Sequence, residues 1–115
     1  MTAVEDFLVG FEHPLLDELL EVRSIVLANP AIEERIKWKS PSFHSGGVDL
    51  GAFELRPTEF LRLILVFPHG LPEFPDWMLG SWPDRRELRF TDQADVAAKR
   101  SDLERVVADW VGLLP

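Results

Sequence analysis

The hydrophobic period of this chain changes twice, which constrains its fold more than any single motif does. Leu15, Leu19, Val22 and Val26 fall on one stripe at helical spacing, widened by Leu16 and Leu20, with Asp17, Glu18, Glu21 and Ser24 on the other side. That is the pattern of an amphipathic helix lying on a core. His13-Pro14 opens it, since a proline at the first helical position lacks only an N–H that would be unpaired there, and Asn29-Pro30 ends it. Phe7 and Phe11, four apart, read as a short separate helix over Val4–Phe11, and Ile32–Arg35 as one further helical turn. The period then becomes two. Ile36 and Trp38 alternate with Lys37 and Lys39, as in a half-buried strand. Pro41 is expected to interrupt pairing because it cannot donate to a ladder, and Phe43-His44 to resume it before a Gly46-Gly47 turn. Val48–Leu55 reads as a second strand. Phe60–Phe67 is apolar on both faces apart from Arg62, as a central strand covered on both sides would be. Glu87–Thr91 is a last strand with Leu88 and Phe90 inward. Helical spacing then returns: Asp92 caps a short helix at Ala94–Lys99, and Ser101 or Asp102 begins a final one on Leu103, Val106, Val107, Trp110 and Leu114. Helix, several strands, helix is the order of an α+β domain with an antiparallel sheet and helices packed on it.

The chain has 115 residues, enough for one domain with its own core. It has no cysteine, which removes disulfides, thiolate metal sites and cysteine nucleophiles and fits a reducing, cytoplasmic setting. The longest aliphatic run, Leu63–Phe67, is far short of a membrane span, and the first cationic side chain is Arg23, unlike the basic start of a secretory leader. A formal charge of −8 opposes nucleic-acid binding, because affinity for phosphate comes from Lys and Arg releasing counterions. Pro68–Asp84 holds four of the nine prolines and two of the four tryptophans. Long loops of this kind are often functional; here Trp77, Met78 and Leu79 read as a turn that plugs the core.

Glu34–Gly47, ERIKWKSPSFHSGG, resembles the signature of the YdhG-like family of small domains. Gly-Ala-Phe at Gly51–Phe53, LRLILVFPHGL, Leu79-Gly80, an ELRF strand and a closing helix extend the resemblance over about Phe7 to Trp110. It implies one compact domain over residues 1–115, with a twisted antiparallel sheet flanked by N- and C-terminal helices. One relative is described as a frataxin-like iron chaperone, so the resemblance also implies weak binding and delivery of ferrous iron. The chain departs from the family at Ser81–Arg86, where relatives commonly carry a small residue and Gly-Lys. An anion-binding role of that lysine would here pass to Arg85 or Arg86, or be lost.

Three function classes follow. In the first, Asp17 and Glu21, four apart on a helix, with Glu18 beside them, form an oxygen-only ligand set for exchangeable ferrous iron; the alternative is a solvated helix face. In the second, Trp38, Lys39, Ser40, Ser42, Phe43 and His44 supply stacking surface, a cation and hydroxyls for a small molecule or anion, completed by Trp77, Trp82 and Arg85. Here the alternative is that Trp38 and Phe43 are core. In the third, the Trp77–Trp82 loop serves an interaction module, for example a homodimer. His13, His44 and His69 lack zinc-site spacings. Ser40, Ser42 and His44 lack a nucleophile elbow and an orienting carboxylate, which points to a non-enzymatic binding protein.

Overall fold

A computed structural model describes residues 2–70 and 72–115 of the chain. Its elements run α1 (Ala3–Leu8), α2 (Leu16–Leu27), β1 (Glu33–Lys37), β2 (Ser40–Ser45), β3 (Val48–Glu54), β4 (Leu61–Val66), β5 (Arg85–Phe90) and α3 (Gln93–Gly112). The five strands form one sheet in the order β1-β2-β3-β4-β5, every neighbour antiparallel. The α+β class with N- and C-terminal helices is as the periodicity predicts.

Cross-strand register divides the sheet into two faces. Phe53 lies opposite Leu63, Leu63 opposite Leu88, and Leu61 opposite Phe90. All of these side chains are buried, in one cluster with Leu19, Val22 and Val26 of α2 and Leu103, Val106, Val107 and Trp110 of α3. The two helices therefore cover this face. The other face carries Arg62, Ile64 and Val66 from β4, all half-exposed. The expectation that β4 is covered on both sides is thus corrected: the sheet has one helix layer, and its second face is open, as antiparallel sheets commonly are.

Polar contacts fasten the layers. Arg23 of α2 donates through Nε to Glu34 of β1 at 2.7 Å, and Trp110 Nε1 donates to the Val66 carbonyl at 3.0 Å. Trp77 Nε1 donates to Asp102 at 2.9 Å while its ring meets Phe90 edge-on, and Met78 beside it is buried, so these two form the expected core plug, whereas Leu79 is exposed and takes no part in it. Leu79 and Glu87 exchange both backbone bonds, which covers part of the β5 edge.

Several boundaries differ from expectation, among them that of β5, which runs Arg85–Phe90 instead of Glu87–Thr91. Helix α1 ends at Leu8, and its start is a capping box made by Thr2 and Glu5. Helix α2 begins after Leu15, whose N–H is taken by His13 Nδ1. Residues Glu33–Arg35 belong to β1, because edge pairing with β2 extends back to Glu33–His44. Helix α3 is continuous from its Asp92 cap, since Lys99, Arg100 and Ser101 are all helix-compatible and no Pro or Gly breaks the run. Pro41 lies within β2 opposite Ile36. Its missing N–H is harmless there: ladder bonds alternate sides, and β2–β3 pairing starts only at Ser42–Ala52.

Between Phe43 and His44 the β2–β3 register shifts, and Leu50, without a cross-strand partner at the bulge, is fully buried. Next to it, a Cβ on Gly51 would stand 2.0 Å from the Ile64 carbonyl oxygen. Gly51→Ala is therefore expected to push β3 from β4 and lower stability by about 1–3 kcal/mol, read as a lower urea midpoint with an unchanged m-value.

Candidate functional site

Two residues, Trp38 and Lys39, join β1 to β2, with φ of 55° and 60°. Two-residue hairpin turns of this left-handed type favour Asn-Gly or Gly-Gly, because both positions need positive φ. The neighbouring β2–β3 turn uses Gly46-Gly47, with φ of 55° and 87°. Placing Trp and Lys in this conformation costs about 1–3 kcal/mol each. The turn holds the Trp38 side chain 64% exposed. Lys37 Nζ stands 4.6 Å over the Trp38 ring and bonds Asp49 at 2.5 Å, so the indole is braced from β1 and β3.

A cleft of about 630 Å³ opens beside this turn, between it, the α1–α2 connection and the end of β3. Phe7, Phe11 and His13 line one side, Trp38, Lys39 and Ser40 another, and Glu54, Arg56 and Thr58 close the rim. Phe7 and Phe11 pack with ring centroids 4.9 Å apart. His13 is tied at both ring nitrogens: Nδ1 accepts from Leu15 N–H at 3.0 Å, so Nε2 carries the proton and donates to the Pro57 carbonyl at 2.8 Å. Ser40 is 8% exposed, and its buried hydroxyl has no hydrogen-bond partner. A buried polar atom left unpaired is uncommon and calls for a reason.

The cleft continues across the open face. A second hollow of about 290 Å³ shares Trp38, Phe53 and Glu54 with it and adds Ala52, Ile64, Val66 and Arg85. A third, of about 260 Å³, shares Glu54, Ile64 and Arg85 with the second and adds Arg62, Trp82 and Arg86. Together they make one trough from α1 to the Pro68–Asp84 loop. Register explains its floor. Ala52 and Ile64 lie side by side on β3 and β4, and Ala52 is short, so Ile64 stands above it.

Ion pairs flank the trough. Glu87 is 4% exposed and accepts from both Arg62 and Arg89 at 2.5 Å. Burial pushes the Asp49 carboxyl up, but hydrogen bonds from Lys37 and Arg35 outweigh it and hold it below the ordinary range. Glu54 is lowered chiefly by its hydrogen bond from Arg56.

The residues expected to form a pocket separate into two sets. Trp38 and Lys39 line the cleft, and Trp82 and Arg85 line the far end of the trough. Ser42, Phe43 and His44 do not take part. Ser42 is fully buried and donates to the Gly51 carbonyl at 2.9 Å. Phe43 is core, edge-on to Phe53. His44 Nδ1 accepts from Gly47 N–H at 3.1 Å and so closes the Gly-Gly turn. The period-two reading of Ile36–Lys39 also concealed the turn: Trp38 is neither a strand residue nor core. The signals that point to the site are the unexplained apolar pair Ile64 and Val66 and the aromatic pair Phe7 and Phe11, both visible in the sequence but assigned to packing.

The expected acidic ligands do not converge. Glu18 is turned into the protein body, Glu21 lies 3.7 Å from Arg100, and Asp17 is exposed. Among the described residues no group of three or more His, Cys, Asp or Glu side chains is placed to hold a metal ion. Among the described residues no helix is long and apolar enough to cross a membrane. No family model, no curated protein and no solved structure matches the chain.

Asp49, Glu54 and Asp95 all have lowered carboxyl pKa values in the folded state. For Asp95, burial is outweighed by hydrogen bonds from Lys99 and Thr91. Groups lowered on folding stabilise the protein above the ordinary carboxylate range and lose that contribution as pH falls through it. The urea midpoint is therefore expected to be flat near neutrality and to fall below about pH 4. Asp49→Asn should make the fall shallower.

Proposed function

We propose that this is a non-enzymatic binding domain of the YdhG-like type, and that it takes a small organic molecule whose apolar body stacks on Trp38 in the cleft beside α1. The observation that carries the reading is the strained Trp38-Lys39 turn. A left-handed Trp-Lys pair in a tight hairpin adds nothing to packing, since the indole stays largely exposed; such strain persists where a function holds it in place. The cleft's volume falls in the range of small-molecule sites, and its lining of aromatic rings with a few polar groups suits one. Delivery of ferrous iron by Asp17, Glu18 and Glu21 has less support, because those side chains share no site. Catalysis by Ser40, Ser42 and His44 has no support from their bonding, since the Ser42 hydroxyl and His44 Nδ1 are committed to backbone groups.

The test exploits a conflict between stability and binding. Trp38→Asn with Lys39→Gly installs the preferred turn and removes the indole. The double variant is expected to be more stable by about 1–3 kcal/mol. It should bind 8-anilinonaphthalene-1-sulfonate, an aromatic probe, about tenfold more weakly. Higher stability with unchanged probe affinity would remove Trp38 from any binding site.

A further inference from the structure

Strand β4 has the composition of a strand covered on both sides, yet only one side is covered. Leu61, Leu63 and Leu65 face the helices, while Ile64 and Val66 stand on the open face beside Ala52. That strip is concave rather than flat, with Trp38 and Glu54 rising at its sides, which suits a narrow ligand better than a protein surface. Running from the β1–β2 turn past β3 and β4 to β5, it crosses three strand spacings, about 14 Å in all.

Its two ends differ in charge. At the α1 end Lys39 stands without a carboxylate partner among the described residues, and Glu12 and Glu54 are nearby. At the β5 end four guanidiniums, Arg62, Arg85, Arg86 and Arg89, stand against three carboxylates, Glu87, Asp84 and Glu54, the last of which lines the same hollow beside Arg62. Register puts Arg85 directly beside Val66, at the end of the apolar strip. Arg86 is positioned by the Trp82 and Arg85 carbonyls, each at 2.6 Å, and lies over Phe74; it has no carboxylate partner among the described residues. In a chain of formal charge −8, this is a local positive surplus at the end of an apolar channel.

We infer that the ligand is an elongated amphipathic anion, with its hydrocarbon or ring body along Trp38, Ala52, Ile64 and Val66 and its acid group at Arg85 and Arg86. This rests on the binding role proposed above and adds the ligand's class and orientation. Arginine suits the head-group position because its planar fork pairs with a carboxylate through two parallel bonds.

Octanoate and 1-octanol, which share a chain and differ in charge, test it by calorimetric titration. Wild-type protein is expected to bind octanoate at least about tenfold more tightly than octanol. Arg85→Gln with Arg86→Gln should erase that preference, Lys39→Gln should leave it, and Ile64→Asp, on the half-exposed face, should weaken both ligands. Equal affinity for the two, or a preference lost in Lys39→Gln and kept in the double arginine variant, overturns the inference. If Trp38-dependent binding of the naphthalene sulfonate persists in that case, the binding role survives and only the ligand class fails. Failure of all three probes, with the protein sedimenting as a dimer, would assign the strip to a second copy of the chain and overturn both.

Discussion

Leu61, Leu63 and Leu65 of β4 set the geometry of this protein. All three are fully buried against the helix layer, and β4 is paired on both sides, with β3 and with β5. Burying a leucine contributes about 1.5–3 kcal/mol, so these positions fix which face of the sheet the helices cover. A one-residue slip would exchange Leu63 for Arg62 and Ile64. Once that face is chosen, the opposite face must carry whatever alternates with the leucines, and that includes Ile64 and Val66.

The trough follows from this choice together with two local features. Ala52 of β3 is small and leaves a hollow beside Ile64. The Trp38-Lys39 turn then raises an indole at the margin of the hollow, at a conformational cost that the hairpin ladder offsets. Ion pairs occupy the rest of the open face, where Glu87 sits between Arg62 and Arg89 and Asp49 between Arg35 and Lys37. Its apolar strip is thus bounded by charge on both sides, which limits the hydrophobic area free for unspecific contact.

Much of this was legible in the residues. Asp92 as a helix cap, Gly46-Gly47 as a turn and Met78 as part of a plug follow from capping chemistry, positive φ and hydrophobicity, all local properties. What escaped depends on tertiary context. Trp38 fits a period-two strand by composition, and nothing in Lys-Trp-Lys-Ser announces a turn, because the turn is imposed by β1–β2 pairing against local preference. Ile64 and Val66 read as buried because composition records apolarity and not whether a second layer exists. Pairing of Asp17, Glu18 and Glu21 by helical spacing could not show that Glu18 turns inward or that Arg100 of α3 reaches Glu21.

The central claim is that the open face of the sheet is a binding trough rather than a bare surface. Backbone amide NMR of the labelled protein, titrated with 8-anilinonaphthalene-1-sulfonate, tests it most directly. Shifts concentrated at Trp38–Ser40, Ala52, Ile64 and Val66, with α2 and α3 unmoved, are the expected result. Shifts confined to the outer faces of the helices, or scattered evenly over the chain, would contradict it.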